Sequence, residues 1–260
     1  PITMRIDDSV FSVIDNLPYP IRRARGFAPN PVLLPFDTSP ILGTGALLKN
    51  TFCLSRDRYA FVSHYIGDLE NFETLQSYQS AINHYENLFR IKPNIIACDM
   101  HPDYLSTRYA YDRHAQEKIP FIEVQHHHAH IAANIAENQW DSKESVIGLS
   151  YDGTGFGPDG NIWGGEILIA SYQSFERRFQ FNYVTMPGGD LAIKFPARMA
   201  ISHLISAGIE LESCLPPINF LTSHELEIIQ HQINNGINAP MTSSIGRLFD
   251  AVSSLIGQRH

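Results

Sequence analysis

Apolar positions along the chain alternate between a period of two and a period of three to four, and the changes of period mark out elements. From Ile41, "ILGTGALLKNTFCLS" and "YAFVSHYIGD" are apolar and rich in β-favouring residues, with the polar "RDR" between them, which predicts a hairpin. In "FETLQSYQSAINHYENLFR" the residues Leu75, Tyr78, Ile82, Tyr85 and Phe89 recur three and four apart, which predicts a helix with one buried face. "NIIACDM" and "PFIEVQ" read as short buried strands around a helix through "DYLSTRYAYDRHAQE", with Asp103 as its N-cap. The helix-forming run "HHHAHIAANIAEN" follows.

At Ser145 the hairpin pattern returns, as "SVIGLSYDGTGFG" and "NIWGGEILIASY" around the turn "PDG". Two glycine-containing hairpins about 100 residues apart suggest a duplicated α/β lobe. That order is the one found in the actin-like (ASKHA) and sugar-kinase ATPases, where two ribonuclease-H-like lobes face a nucleotide cleft. After Tyr172 three helical segments are expected. The first spans about Pro196 to Ala207 with Pro at N1, and the second runs from the capping box of Thr222 and Glu225 to Gly236. The third, "SIGRLFDAVSSLIG", places Leu248, Val252 and Leu255 on one face. The second lobe is therefore expected to lack its later strands, and the chain to be part of a longer protein.

Residues 1–38 read as a tail: "RIDDSVFSVID" alternates like a strand, "NLPYP" turns, and six of the 16 prolines fall between Pro18 and Pro40. Such a stretch suits an extended connection. The expected division is 1–38 as the end of a preceding domain with its linker, 39–143 as the first lobe, and 144–260 as the start of a second lobe with a helical insertion.

Composition narrows the function. The chain of 260 residues is 43% hydrophobic with a net charge of −8, and its acidic balance argues against tracking a nucleic-acid backbone. No apolar run reaches the roughly 20 residues that span a bilayer, and "PITMRIDDSV" lacks a signal-peptide layout. Cys53, Cys98 and Cys214 form no CxxC pair, which suits buried, inert thiols and a reducing cytoplasm.

Four of the 12 histidines occupy five positions, His126, His127, His128 and His130. On a helix, His126 and His130 project from one face on successive turns and can share a metal ion. Asp152, at the end of "GLSYD", offers a carboxylate, and two imidazoles with one carboxylate suit Fe(II), Zn or Mn. Asp99 and Asp103 around His101 could equally complete a site, and a solvated, capping histidine cluster is the bland alternative. The stretch "DGTGFGPDGNIWGG" carries six glycines in 14 residues between strands, so it is neither a Walker A loop nor a Rossmann turn, although its amides could form an anion nest. In "MPGGDLAIKFPARMA", Gly188 and Gly189 free the backbone, while Asp190, Lys194 and Arg198 could meet a charged substrate or simply be solvated. Asp250, on an apolar helix, needs a partner; a ribose diol or Arg247 would serve.

Taken together, "IRRARGFAP", "LKNTFCLS", "HYIGDLEN", "CDMHPDYLSTRYA", "VQHHHAHIAA", "DGTGFGPDGNIWGGE", "MPGGD" and "TSSIGRLFDAV" resemble the hydrogenase maturation carbamoyltransferase family HypF, across nearly the whole chain and in the family's order. The family's TsaD relatives share the histidine motif and the late "FD". The resemblance implies activation of carbamoyl phosphate with ATP as carbamoyl-adenylate in a YrdC-like domain. Carbamoyl then passes to the C-terminal cysteine of HypE in a domain like this one, on the way to the cyanide ligand of [NiFe]-hydrogenase. It implies metal ligands at His126, His130 and Asp152 for a mononuclear Fe or Zn. It also implies phosphate contacts at Gly153, Thr154 and Gly155, a ribose contact at Asp250, and Lys49, Asn50 and Thr51 at the first hairpin. ATP, AMP or carbamoyl-adenylate is the implied nucleotide, with Mg as its companion ion. The family's acylphosphatase module, zinc-finger cysteines and later transferase segment, with a further acidic ligand, have no counterpart in these residues.

Two rival readings stand beside this one. An actin-fold small-molecule kinase or ATPase needs no His-x-x-x-His helix, so a tightly bound transition metal would count against it. A truncated remnant that binds a partner without catalysis would lack both metal and nucleotide affinity.

Overall fold

The computed structural model describes residues 5–141 and 143–259; Pro1–Met4, at the head of the expected tail, and Ser142 and His260 lie outside them. The chain divides into two compact units, Pro1–Gln125 with Ala133–Ser142, and His126–Ala132 with Lys143–His260.

In the first unit, β1 (Val10–Ile14) and β2 (Leu17–Arg22) form an antiparallel hairpin. The expected turn at "NLPYP" is displaced: Asp15 and Asn16, at φ 51° and 62°, make the turn, and the prolines lie in β2. Each strand of a two-stranded sheet has an outer edge, so Pro18 and Pro20 can take alternate positions where the missing N–H breaks no ladder. Next, β3 (Val32–Gly43) pairs antiparallel with β4 (Cys53–Val62). Strand β3 thus starts nine residues before Ile41, and the prolines expected to form a linker lie partly within it. "RDR" is not the turn either. It lies inside β4, where Asp57 at φ 54° faces Thr38 at a shift of register, a bulge that absorbs the irregularity. The true connection is 44–52.

Helix α1 (Phe72–Phe89) is capped by Asn71, whose side chain accepts the Thr74 N–H, and it buries Tyr78, Ile82 and Tyr85 against Leu42, Phe52 and Leu54. Strand β5 (Ile95–Asp99), α2 (Leu105–Glu117) and β6 (Phe121–Val124) complete the unit, giving the order β4-β3-β5-β6 with the last two pairings parallel. Asp103 does not cap α2. Tyr104 holds that position, and Asp103 pairs with Arg108 at 2.8 Å. Helix α3 (His126–Glu137) contributes its histidine end to the second unit.

In the second unit β7 (Val146–Phe156) and β8 (Ile162–Ala170) are the expected hairpin. The sheet goes further than the sequence suggested, because β9 (Phe175–Gln180) pairs with β8. Short β10 (Val184–Thr185) and β11 (Met241–Thr242) extend it on a parallel contact from β11 to β8. Between them run α4 (Leu191–Lys194), α5 (Ala197–Ser206), α6 (Pro216–Phe220) and α7 (Ser223–Asn235), and α8 (Ile245–Leu255) follows. The α7 capping box forms as expected and Gly236 closes that helix in the left-handed region, while Pro196 is the N-cap of α5 rather than N1. The face of α8 shared by Leu248, Val252 and Leu255 is not its most buried one: Arg247, Ala251 and Ser254 are buried, Leu248 and Leu255 half-buried, and Val252 is 43% exposed. Polar residues with partners occupy the inward face, so apolar periodicity alone mis-phases the helix by one position.

Candidate functional site

His126 and His130 stand one turn apart on α3, with their Nε2 atoms 3.1 Å from each other. His126 Nε2 is 3.2 Å from Asp152 Oδ2, and among the described residues these three side chains form a group whose ligand atoms lie within 4.8 Å. Asp152 does not end its strand. It sits mid-β7, where the pairing with β8 skips from Tyr151 to Gly155, so Gly153 and Thr154 lie in a bulge and the hairpin tip is at residues 157–160. Asp152 Oδ1 accepts the Gly153 N–H at 2.6 Å. Oδ2 is buried and finds no donor in good hydrogen-bond geometry, although His126 and His127 lie close. Burial pushes the Asp152 carboxyl upward, but the His126 imidazole and the Gly153 amide outweigh it and hold the group below the usual aspartate range. An ionised carboxylate beside two imidazoles is a donor set that fits a borderline divalent cation.

The other two histidines support the first turn of α3. His127 is fully buried, its Nε2 3.6 Å from Asp152 Oδ2 and its ring stacked on Trp163 at 6.3 Å. Burial, followed by the neighbouring His126, pushes His127 down to about 4, so it is neutral at neutral pH. Only glycine fits opposite it, because a Cβ on Gly155 would stand 2.4 Å from His127 Cε1. His128 Nε2 lies 2.7 Å from the Ser171 carbonyl.

Behind the hairpin is a charged network that sequence reasoning passed over. Glu166, 0% exposed, accepts from Arg177 Nε, Ser243 Oγ and the amides of Gly164 and Gly165. The Arg177 guanidinium lies 3.8 Å above the Trp163 ring, and Asp159 accepts from both Trp163 Nε1 and the Tyr183 hydroxyl. The available signal was Glu166 itself, a carboxylate inside the apolar run "GGEILIA", which has to be matched by buried donors.

Two family models match: the HypF Kae1-like domain over residues 36–137, and the second subdomain of the carbamoyltransferase Kae1-like domain over 148–260. Carbamoyltransferase HypF of Rhizobium leguminosarum bv. viciae is 41% identical over 99% of this chain and 33% of its own length. HypF2 of Cupriavidus necator is 40% identical over 99% and 32%. A crystal structure of full-length HypF in the phosphate- and nucleotide-bound form superimposes with a TM-score of 0.89 at 46% identity, over 99% of this chain and 40% of that one. A crystal structure of T. kodakarensis HypF gives a TM-score of 0.84 at 35% identity, over 96% of this chain and 34% of that one. The chain belongs to the HypF carbamoyltransferase family.

The likeness to HypF also bears out the actin-like ATPase fold expected from the order of elements. The chain spans about a third of the length of the curated HypF relatives it matches. Among the described residues no helix is long and apolar enough to cross a membrane.

Within this HypF-family chain the remaining expected residues fall in three places. Asp250 lies on α8 and pairs with Arg247 at 2.9 Å, while burial pushes its carboxyl upward against that guanidinium. Gly188, Gly189 and Asp190 form the turn into α4, with Gly188 donating to Asn238 O at 2.8 Å and Arg198 donating to Pro187 O. Lys49 and Asn50 belong to the first unit: Lys49 is exposed, whereas Asn50 is 1% exposed and donates to Thr44 O and Ala46 O. The bonds that join Asp152 to α8 run through Gly153 and Ser244 and involve neither of the last two sets.

Asp99, Asp103 and His101, the alternative metal group, make a local turn in the first unit: Asp99 Oδ1 accepts His101 N and His101 Nδ1 accepts Asp103 N. Of the cysteines, burial pushes Cys53 and Cys98 to about 12, so both are inert thiols, but Cys214 is exposed, which corrects the expectation that all three are buried.

Proposed function

We propose that this chain is the carbamoyl-transfer portion of a HypF-type enzyme, passing carbamoyl from carbamoyl-adenylate to the C-terminal cysteine of HypE. The full-length enzyme would make that adenylate from carbamoyl phosphate and ATP, the ATP accompanied by Mg. The observation that carries the reading is the convergence of His126 Nε2, His130 and Asp152 Oδ2 on one point, in a chain whose relatives are named carbamoyltransferases. His126, His130 and Asp152 would hold one Fe(II) or Zn(II). Such a cation, when bound, polarises a carbonyl or phosphate oxygen and so favours attack by a thiolate.

The chain's own groups complete the proposal. The acceptor thiolate attacks the carbamoyl carbon, the carbon–oxygen bond to the adenylate breaks, and AMP leaves. The Gly153–Gly155 bulge is assigned to the departing phosphate; the Gly153 N–H serves Asp152 Oδ1, so the exposed Thr154 is the residue that meets it. Asp250 is assigned to the ribose, and Gly188, Gly189 and Asp190 to further nucleotide contacts. Lys49 and Asn50 are assigned to the reacting groups; Lys49 is exposed, whereas Asn50 is buried. No cysteine of this chain acts as nucleophile, which agrees with inert Cys53 and Cys98. A thiol acceptor and three free cysteines suit a reducing cytoplasm.

The test is elemental analysis of protein purified without a histidine tag. Wild type should carry one metal per chain, and the His126→Ala/His130→Ala variant none. Metal that survives the double substitution, or a metal-free wild type loaded with neither Fe(II) nor Zn(II), sinks the assignment.

A further inference from the structure

At a bulge the strand ladder no longer fixes the peptide planes, and Asp152 sits at one. Ser244, 4% exposed, stands against that break. Its hydroxyl oxygen lies 2.7 Å from Asp152 O and 2.8 Å from Gly153 O, so its single proton is shared between two successive carbonyls. The same oxygen accepts the Arg247 N–H as the N-cap of α8. Gly246 permits the approach, since a Cβ there would stand 2.8 Å from Gly153 Cα.

The consequence passes to the carboxylate through one peptide. Gly153 N–H donates to Asp152 Oδ1 at 2.6 Å, and the carbonyls on both sides of that residue are those Ser244 holds. With Oδ1 tied to this peptide, Oδ2 is left facing His126 Nε2 at 3.2 Å. We propose that Ser244 is the positioning residue that aims the Asp152 carboxylate at the cation shared with His126 and His130. This rests on the metal reading above. Groups that orient a ligand in this way typically change metal affinity by roughly 10–100-fold when removed. Ser244 would also tie the ligand strand to α8, the helix that carries Asp250.

The test must separate aiming a ligand from capping a helix. Zn(II) affinity is measured by chelator competition in the full chain for wild type, Ser244→Ala and Thr222→Ala. Thr222 caps α7 with a full capping box, so its loss removes a cap of the same kind at a helix with no ligand on it. Should Ser244→Ala fail to fold, Ser244→Gly replaces it, because glycine is a nearly neutral cap that still lacks the hydroxyl. The expected result is affinity at least about ten-fold weaker at position 244 and unchanged for Thr222→Ala, with both variants melting cooperatively. Equal affinity in the Ser244 variant and wild type overturns the proposal, as does an equal loss in Thr222→Ala. A wild type that binds no Zn(II) or Fe(II) fails at the metal reading itself, and is recognised by the wild-type titration alone.

Discussion

In the first unit the connection from β3 to β4 turns its polar groups onto itself. Asn50 Nδ2 donates to the Thr44 and Ala46 carbonyls, the Tyr78 hydroxyl donates to Thr44 O, and Asp68 accepts the Lys49 N–H. The β7–β8 hairpin of the second unit does the opposite. Its irregularity is inside a strand, its glycines bring neighbouring rings and helices close, and its carboxylates and carbonyls meet partners from α3, β9 and the N-cap of α8. Two hairpins that open equivalent stretches of an α/β pattern are therefore built for different ends. A loop whose donors are spent on nearby backbone and side chains has few donors left for a ligand, Asn50 Oδ1 being its buried acceptor without a bond. A bulge held by outside groups exposes a carboxylate in a fixed direction, at the cost of depending on every neighbour.

The largest test of that dependence is Glu166. Removing one partner of a buried ion pair leaves the other charge unmatched and costs about 3–5 kcal/mol, so Glu166→Ala should lose that much stability in urea denaturation at pH 7. Glu166→Gln tests the charge alone. Burial raises the Glu166 carboxyl, but Arg177, Ser243 and two amides more than offset it and hold the group below its ordinary 4.5. A depressed carboxylate contributes stability that is fully present above pH 4.5 and is lost as pH falls through the lower folded value. Wild type should therefore lose stability on acidification below pH 4.5 more steeply than Glu166→Gln. Parallel acid limbs would mean that the network contributes nothing and that the contrast between the hairpins is one of shape only.

How much of this was legible in the sequence follows from what kind of signal each element carries. Helices α1, α7 and α3 were readable because their apolar spacing or capping residues are local. The strand limits were not, since Asp57 and Asp15–Asn16 bend the backbone at positions where polar residues look alike whether they turn or bulge. Strand β9 was missed because "FERRFQ" sets three charged residues between its two phenylalanines, and the inward position of Arg177 makes sense only with Glu166 beneath it. Likewise the spacing of His126 and His130 proposed a pair of ligands, and the structure places Asp152 against them. Ser244 was invisible as a neighbour of Asp152, because the contacts span more than ninety residues and depend on α8 facing inward with its polar side.

A smaller effect sharpens the role of close approach. Gly155→Ala forces a methyl onto the His127 ring, and overpacking of this kind costs about 1–3 kcal/mol. His127→Ala should relieve it, so the double variant should lose less stability than the sum of the two single ones. A cycle that adds within error would show that the ring and Gly155 do not press on each other.

The smallest effects belong to the self-satisfied loop, and they separate two adjacent residues that the sequence offered together. Asn50→Ala should cost about 1–3 kcal/mol, because two loop carbonyls lose a buried donor. Lys49→Ala should stay within about 0.5 kcal/mol, as an exposed side chain away from such features. Lys49 also holds φ 49°, so Lys49→Gly should be neutral or slightly stabilising, by a few tenths up to about 1 kcal/mol once the left-handed strain is relieved. If Lys49→Ala proved as costly as Asn50→Ala, the loop would not be stapled through Asn50. The assignment of Lys49 as the residue free to meet a ligand would then fall with it, since a side chain needed for folding is not available for chemistry.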